Sequence, residues 1–261
     1  MPHDLTIRHT ELTTLPDAVW GETAIEIFNV SNNKLTSISD RIGKLAKVRL
    51  IDLGHNQLRE VPEAIGDLAG LSDYLYLSDN QLTTLPATIG KLARLRYLNV
   101  SENQLTRLPD SIGEMTGLVE LRFTDNRISS MPSSIGKLNR LRELHGARND
   151  INELPESIGA LENLRKLNLE ANRLTALPPS LGRLNQLFEL NLRGNRVSDW
   201  PPTIANCRKL SYIDARANGL TRVPETLASL PLEKLDLRWN PIETYPSWLD
   251  ELERRGCTVF R

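Results

Sequence analysis

The stretch Leu164-Arg-Lys-Leu-Asn-Leu-Glu-Ala-Asn-Arg-Leu174 decides the fold, because its pattern of leucines and one asparagine returns along the whole chain. Its central residues alternate between apolar and polar, which suits a short β-strand with one buried face. A second stretch, Leu108-Pro-Asp-Ser-Ile-Gly-Glu-Met115, recurs between such segments, and its proline fixes φ where a turn opens. Each unit is therefore expected to hold one short strand and one short helical turn.

The asparagine of this pattern recurs at nearly constant spacing, which indicates a repeat architecture. One further interval before the first asparagine leads to Thr10. We therefore expect eleven repeats of about 23 residues that form a single domain over residues 1–261, with a C-terminal cap at about residues 243–261. The ten asparagines, separated by 22 to 24 residues, are Asn33, Asn56, Asn80, Asn103, Asn126, Asn149, Asn172, Asn195, Asn218 and Asn240.

The repeated asparagine has a physical reason. After each strand the chain turns away from the sheet and leaves backbone N–H and C=O groups beneath the next layer. A buried amide offers donors and an acceptor, so one side chain satisfies several of these groups, whereas aspartate lacks the donors. We expect the amides to form a ladder from repeat to repeat.

The combined pattern, LPxxIGxLxxLxxLxLxxNxL, resembles the leucine-rich repeat family over nearly the whole chain. Units of 23 residues with this PxxIGxL variant are similar to Ras-group and Scribble-like intracellular repeats, and to repeats of bacterial proteins and effectors. The resemblance implies an α/β fold, a leucine-rich repeat solenoid (horseshoe) with a parallel sheet on the concave face and short helical or 3-10 turns on the convex face. Such a scaffold presents many different binding surfaces, so function must be sought in individual residues.

Composition excludes several classes of protein. The 32 lysines and arginines balance 33 aspartates and glutamates, so nothing in the net charge of −1 predicts binding to nucleic acid or to a membrane surface. No segment approaches the roughly eighteen apolar residues of a membrane span, and the first residues do not resemble a secretion signal. Cys207 and Cys257 are too few for a disulfide scaffold and lack metal-ligand spacing. We expect a cytoplasmic protein without cofactor or metal.

Function is expected in the variable residues that point away from the core on the concave face. Counting back from the asparagines places Leu50, Tyr74 and Tyr97 in one outward row, with Tyr76 on the same strand as Tyr74. The scaffold does not require apolar groups there, and exposed apolar surface rich in tyrosine is typical of contact sites. The alternative is that these tyrosines merely pack on one another and cover the sheet.

A second outward row, which includes Ser31, Gly54, Ser101 and Ala147, becomes basic in the last repeats. Such arginines could hold carboxylates or phosphates by forked hydrogen bonds. Internal pairing is the alternative, because an aspartate lies two residues before each of the last two arginines. The candidates are Arg193, Arg216 and Arg238, with Tyr212 and Trp239 close to them, and the competing partners are Asp214 and Asp236.

Three further candidates occupy outward positions in the middle repeats: Arg122, His145 and Arg148. Arg148 follows three acidic residues, Asp79, Glu102 and Asp125, that occupy the same position in successive repeats. Stacked acids repel one another unless a positive group meets them, so either a basic partner or simple solvation accounts for this row.

Catalysis is not expected. A nucleophile needs a base within hydrogen-bond reach and a third group to orient it, and no such arrangement is predicted. His9 and His55 share a row but are separated by two strand spacings, about 10 Å, which is too far for one metal ion. No glycine-rich phosphate loop is present either. We therefore expect no catalytic residues and no metal site.

These observations favour a protein-interaction module, a scaffold or adaptor that binds a protein or peptide on its concave face. One alternative is a bacterial effector or signalling adaptor that acts in a host cytosol. Another is a structural repeat array without a ligand. The first repeat has no cap before Leu5, so we expect either a homodimer through this open edge or the removal of an upstream segment. Light scattering at high concentration checks the first of these.

Overall fold

The computed structural model describes residues 3–261, which divide into two compact units, Met1–Ile128 and Ser129–Arg261. In unit 1, neighbouring strands pair in parallel in chain order, and each strand is three residues long. The middle residue of every strand from β2 to β6 is fully buried, while its neighbours are partly exposed. The strands are β1 (Asp4–Thr6), β2 (Ile27–Asn29), β3 (Leu50–Asp52), β4 (Tyr74–Tyr76), β5 (Tyr97–Asn99) and β6 (Glu120–Arg122).

Unit 2 follows the same plan, again with parallel pairing in chain order. Its last strand is preceded by the helix α1 (Trp248–Arg254), whose Leu249 and Leu252 are buried. Among residues 3–261, no helix combines the length and apolar composition that crossing a membrane requires. The strands are β7 (Glu143–His145), β8 (Lys166–Asn168), β9 (Glu189–Asn191), β10 (Tyr212–Asp214), β11 (Lys234–Asp236) and β12 (Thr258–Phe260).

Short 3-10 helices of five residues separate the strands, which confirms the predicted fold class. A proline with φ near −65° precedes most of them and sets the direction of the turn. Ser39 takes this place once, and its side chain compensates by accepting a hydrogen bond from the N–H of Arg41 at 3.2 Å. The helices are Asp17–Gly21, Asp40–Lys44, Glu63–Asp67, Ala87–Lys91, Asp110–Glu114, Ser133–Lys137, Glu156–Ala160, Pro179–Arg183, Pro202–Asn206 and Glu225–Ser229.

The glycine of the repeated Ile-Gly pair is explained by close packing of one 3-10 helix on the next. A Cβ atom added at Gly66 would lie 2.4 Å from the carbonyl oxygen of Thr88, far inside van der Waals contact. Only glycine permits this approach, and neighbouring repeats therefore stack directly on one another.

The asparagine ladder is present as predicted. The Asn103 amide donates to the carbonyl oxygens of Leu77 (2.9 Å), Val100 (3.1 Å) and Ser101 (3.0 Å). Its Oδ1 accepts from the N–H of Leu82 at 2.9 Å. One buried side chain thus satisfies four backbone groups and joins two successive repeats.

The residue before each repeated asparagine adopts a left-handed backbone, which the sequence pattern did not predict. In this position φ lies between 50° and 67° at Asn32, His55, Asp79, Glu102, Asp125, Arg148, Ala171, Gly194, Ala217 and Trp239. A positive φ reverses the chain directly after the strand and turns it away from the sheet. Non-glycine residues adopt it here because the ladder and the next repeat hold the turn.

The first repeat is less covered than those that follow it. Leu5 and Ile7 are only half-buried, whereas Phe28 and Val30, the equivalent residues of the second repeat, are fully buried. The apolar side chains of the first repeat therefore remain partly open to solvent.

Candidate functional site

The open face is the side of each unit's sheet toward which the first and third residues of the strands point. On the open face of unit 1, strand register places Leu50, Tyr74 and Tyr97 side by side. The rings of Tyr74 and Tyr76 stack with centroids 5.8 Å apart, and Tyr97 lies 5.4 Å from the first ring and 5.1 Å from the second. These three residues form the tyrosine cluster. Tyr74 is 43% exposed, so the cluster presents aromatic surface to solvent.

The one-residue insertion before β4 does not shift this register. Ser72 and Asp73 both direct their N–H groups at the carbonyl oxygen of Arg49, at 3.4 and 2.9 Å, so the extra residue is absorbed before the strand begins. Tyr74 therefore keeps the outward position that counting back from Asn80 predicts. Asp73 also binds the Arg49 guanidinium at 3.0 Å, at the edge of the cluster.

A cavity of about 350 Å³ adjoins the tyrosine cluster and has charged groups of both signs in its wall. Burial raises the pKa of Tyr97 to about 12, and burial also raises the pKa of Tyr76. Both hydroxyls therefore stay protonated at physiological pH and can donate hydrogen bonds. The cavity is lined by Asp73, Tyr74, Arg96, Tyr97, Val119 and Glu120.

A second group of candidate residues meets on the open face of unit 2. The Trp239 ring lies close to three guanidinium groups, with the Cζ atoms of Arg193, Arg216 and Arg238 at 5.9, 5.8 and 5.6 Å from its centroid. These four residues form the tryptophan–arginine cluster. Trp239 is 65% exposed, and the distances are those of cation–π contacts.

Aspartates hold Arg216 and Arg238 in place, so the internal pairing that the sequence offered as one of two interpretations is present. Arg216 donates hydrogen bonds from two guanidinium nitrogens, Nε and Nη2, to the Asp214 carboxylate. Asp236 accepts from Arg238 Nε at 2.9 Å and from its Nη2 at 2.6 Å, and lies 3.4 Å from Arg216. The Asp236 side chain is fully buried, whereas those of Arg216 and Arg238 are 20% and 37% exposed.

The electrostatics of these pairs favour the charged forms. Burial of the Asp236 carboxyl acts to raise its pKa, but hydrogen bonds and charge from Arg238, with the charge of Arg216, lower it below its ordinary value. The hydrogen bond that Arg216 donates to Asp214 raises the pKa of Arg216, and the one that Arg238 donates to Asp236 raises the pKa of Arg238. Both guanidiniums therefore remain cationic in the folded protein.

A local backbone motif explains why an acid or amide recurs in the third position of the strands. The side chain of this residue accepts a hydrogen bond from the N–H two residues later, an Asx-turn that begins the reversal after the strand. It joins Asn29 to Ser31, Asp52 to Gly54, Asn99 to Ser101, Asn168 to Glu170, Asn191 to Arg193, Asp214 to Arg216 and Asp236 to Arg238.

The same turn corrects one part of the sequence analysis. The second outward row is not exposed along its length, because Ser31, Gly54, Ser101 and Ala147 are buried. The strand has already ended at this position, and small residues fit under the turn. Long side chains such as Arg193 extend past it to the surface, where this one is 42% exposed.

The remaining candidates lie outside the two clusters as defined, although the charge of Arg122 acts on Tyr76 and Tyr97. Arg122 pairs with Glu120 in unit 1, and His145 lies 3.0 Å from Glu143 in unit 2, where Arg148 is exposed. Tyr212 is predicted to lie near the arginines, but its ring packs on Phe188 at 5.0 Å and its hydroxyl binds Glu233. Tyr212 is thus a partner of Phe188.

Phe188 is a residue that sequence reasoning missed. It is 40% exposed and contacts Tyr212. A signal was available, because most repeats have a polar residue in this place, such as Arg96, Arg142 and Arg165. Phe260 was missed as well, and its ring lies 4.6 Å from the Arg238 Cζ atom.

Comparison with known proteins agrees with this geometry. A family model described as a leucine-rich repeat region matches residues 23–147 and 133–240. No curated protein sequence matches the chain.

Solved structures with the same fold come from plants and bacteria. The leucine-rich repeat ectodomain of the membrane receptor kinase GASSHO1/SCHENGEN3 from Arabidopsis thaliana, in complex with CASPARIAN STRIP INTEGRITY FACTOR 2, is 26% identical with a TM-score of 0.76. The match covers 98% of this chain and 34% of the ectodomain, so the chain spans about a third of that protein's length.

Two Listeria monocytogenes proteins are similar in fold at lower identity. The functional domain of InlJ is 21% identical, with a TM-score of 0.82 over 99% of this chain and 52% of the other. The internalin InlF is 20% identical, with a TM-score of 0.74 over 99% of this chain and 80% of the other.

Proposed function

We propose a function for this chain, which belongs to the leucine-rich repeat family. It is a non-enzymatic interaction module that binds another protein or a peptide through the open face. The scaffold itself accounts for the leucines, the asparagines and the Ile-Gly pairs. It does not account for the residues that point outward from the strands, so these carry the functional information.

The observation that carries the proposal is the exposed tyrosine cluster. Three rings meet within 5.8 Å of one another beside a cavity of about 350 Å³, and Tyr74 is 43% exposed. Tyrosine supplies apolar area together with a hydroxyl donor and loses little conformational entropy on binding. Exposed aromatic clusters of this kind are typical of the centre of protein interfaces.

A complex of a related protein supports the same proposal. The Arabidopsis receptor ectodomain, 26% identical over 98% of this chain, was solved in complex with CASPARIAN STRIP INTEGRITY FACTOR 2. We transfer only the general property, that a leucine-rich repeat surface binds a second molecule. The partner of this chain is defined by its own outward residues.

Affinity capture from the source cell tests this proposal. The double variant Tyr74→Ala/Tyr97→Ala should retain at least about tenfold less partner than wild type, because truncating central aromatic residues typically removes 2 kcal/mol or more. Tyr74→Phe/Tyr97→Phe preserves the rings and should retain most of the binding. Tyr245→Ala removes a partly exposed tyrosine outside the cluster and serves as the matched control. Equal capture by the double alanine variant and wild type would contradict the proposal.

The cellular setting is also part of the proposal. We place the chain in the cytoplasm, as an adaptor or as an effector delivered to a host cytosol, on its similarity to intracellular repeats. A ligand-free structural array is the competing account, and the capture experiment distinguishes it. The partly open apolar side chains of the first repeat, Leu5 and Ile7, fit a homodimer through that edge, which stays a prediction.

A further inference from the structure

We propose that the tryptophan–arginine cluster of unit 2 binds an acidic peptide segment, with carboxylates on the guanidiniums and an apolar side chain on the Trp239 indole. The inference rests on the proposed function, since it assigns a partner chemistry to one part of the open face. It depends on the tryptophan–arginine cluster and not on the tyrosine cluster, so the two can fail separately.

The arginines are oriented with donors left over. Arg216 and Arg238 bind their aspartates through Nε and Nη2, and among residues 3–261 no acceptor contacts Nη1 of either. An arginine held on one edge by a fixed carboxylate keeps its guanidinium plane preorganised. The opposite edge is then available for a carboxylate of a ligand.

The most exposed charges of this region are positive, although the three arginines are matched by three acidic partners, Glu170, Asp214 and Asp236. The Asp236 side chain is fully buried beneath that of Arg238, which is 37% exposed, whereas those of Asp214 and Arg216 are covered equally, at 19% and 20% exposed. The Arg193 side chain is 42% exposed, and that of Glu170, 3.5 Å away, is less so at 29%. A ligand that approaches from solvent meets guanidinium groups first, which favours an acidic partner.

Trp239 is the residue that the scaffold explains least. Its position requires a left-handed backbone, with φ of 62° at Trp239, and a bulky residue adopts that conformation at an energetic cost. The equivalent residue two repeats earlier is Gly194, which has no Cβ atom and adopts this turn without that cost. Trp239 is nevertheless 65% exposed, so burial in the core does not compensate for the cost. An indole in this setting is suited to contact an apolar group of a ligand.

A peptide fits this surface better than a nucleic acid does. A phosphate backbone would extend past the cluster and meet the carboxylates of Glu189 and Glu233, both of which are exposed. The chain also has a net charge of −1, without the excess of basic residues that nucleic-acid binding uses. A short acidic segment needs only the few guanidinium groups that surround Trp239.

Fluorescence anisotropy with labelled synthetic peptides tests the inference on the full chain. The probe peptide has three glutamates on each side of one phenylalanine. Two control peptides are used with it: one has alanine in place of the phenylalanine, and the other has lysines in place of the glutamates. Wild type should bind the glutamate–phenylalanine probe best, and added salt should weaken binding. Arg193→Gln should weaken it about tenfold, through loss of a charged hydrogen bond. Arg183→Gln, the same charge change in a 3-10 helix of unit 2, should leave it unchanged.

The central residue of the probe isolates the indole. Replacing phenylalanine with alanine in the peptide should weaken binding to wild type but should have little effect on Trp239→Ala, because the two groups contact each other. Thermal unfolding midpoints of Arg193→Gln and Trp239→Ala close to that of wild type would establish that both variants fold.

Three results would overturn the inference: equal binding by Arg193→Gln and Arg183→Gln, equal binding of the lysine peptide, or tighter binding of a single-stranded oligonucleotide of matched charge. If one of these results occurs but capture of the partner still depends on Tyr74 and Tyr97, the proposed function stands. Only the assignment of an acidic peptide to the tryptophan–arginine cluster is then lost. Peptide binding as expected, without dependence of capture on the tyrosines, would keep the acidic partner and remove the tyrosine cluster as the binding site.

Discussion

Replacing Asn103 with alanine is expected to lower the free energy of unfolding by about 4 kcal/mol, since four buried hydrogen bonds, worth about 1 kcal/mol each, are lost at once. The amide makes four hydrogen bonds with distances from 2.9 to 3.1 Å to backbone groups of two repeats. Alanine leaves the N–H of Leu82 without its acceptor and opens a small cavity. The three carbonyl oxygens each lose one donor but keep another.

Urea unfolding followed by circular dichroism measures this loss, and hydrogen exchange locates it. The amide of Leu82, which donates to Asn103, should exchange much faster in the variant. Asn103→Asp retains the acceptor but loses the donors, so it should also be strongly destabilised. Asn185→Ala changes an exposed asparagine and is the control, expected within about 0.5 kcal/mol of wild type. A cost at Asn103 no larger than that of the control would refute the role assigned to the ladder.

Replacing Asp236 with alanine is expected to cost about 3 kcal/mol, because it removes one partner of a buried ion pair. The carboxylate is fully buried and contacts both Arg216 and Arg238. Without the Asp236 carboxylate, the guanidinium groups of Arg216 and Arg238 repel each other, because the negative charge that offsets both is gone. Asp150→Ala is the control, because its pair with Arg173 lies on the surface, where such pairs contribute little.

The lowered pKa of Asp236 also sets the sign of its pH dependence. Its contribution to stability is fully present above the unfolded pKa and is lost as the pH falls through the lower folded pKa. Wild type should therefore lose stability on acidification more steeply than Asp236→Asn, as measured by urea unfolding at a series of acidic pH values. Parallel pH profiles for the two proteins would contradict this assignment.

Sequence periodicity predicts most of the backbone, because each repeat is defined by contacts with its neighbours. The buried leucines, the turn at the proline and the four-bonded role of Asn103 all follow from residue type and spacing. The register of Tyr74 and Tyr97 follows from counting, even though a one-residue insertion lies between Asn56 and Asn80. Such features depend on local chemistry that returns in every repeat.

The sequence pattern does not predict which outward residues are exposed, because their exposure depends on where each strand ends. Counting alone assigns Ser101 and Arg193 to one outward row, but the turn buries the serine and only the length of the arginine carries it to the surface. The left-handed backbone at Trp239 is hidden for the same reason, since a tryptophan does not normally indicate it. The pairing of Tyr212 with Phe188 depends on side-chain directions that spacing does not specify.

Site-specific photo-crosslinking tests the central claim, that outward residues of the strands contact a partner protein. A benzophenone amino acid at position Tyr74, on the open face of unit 1, should yield a crosslinked partner in the source cell. The same group at Lys91, exposed in a 3-10 helix of the same unit, should yield none. A partner crosslinked at Lys91 and not at Tyr74 would contradict the account.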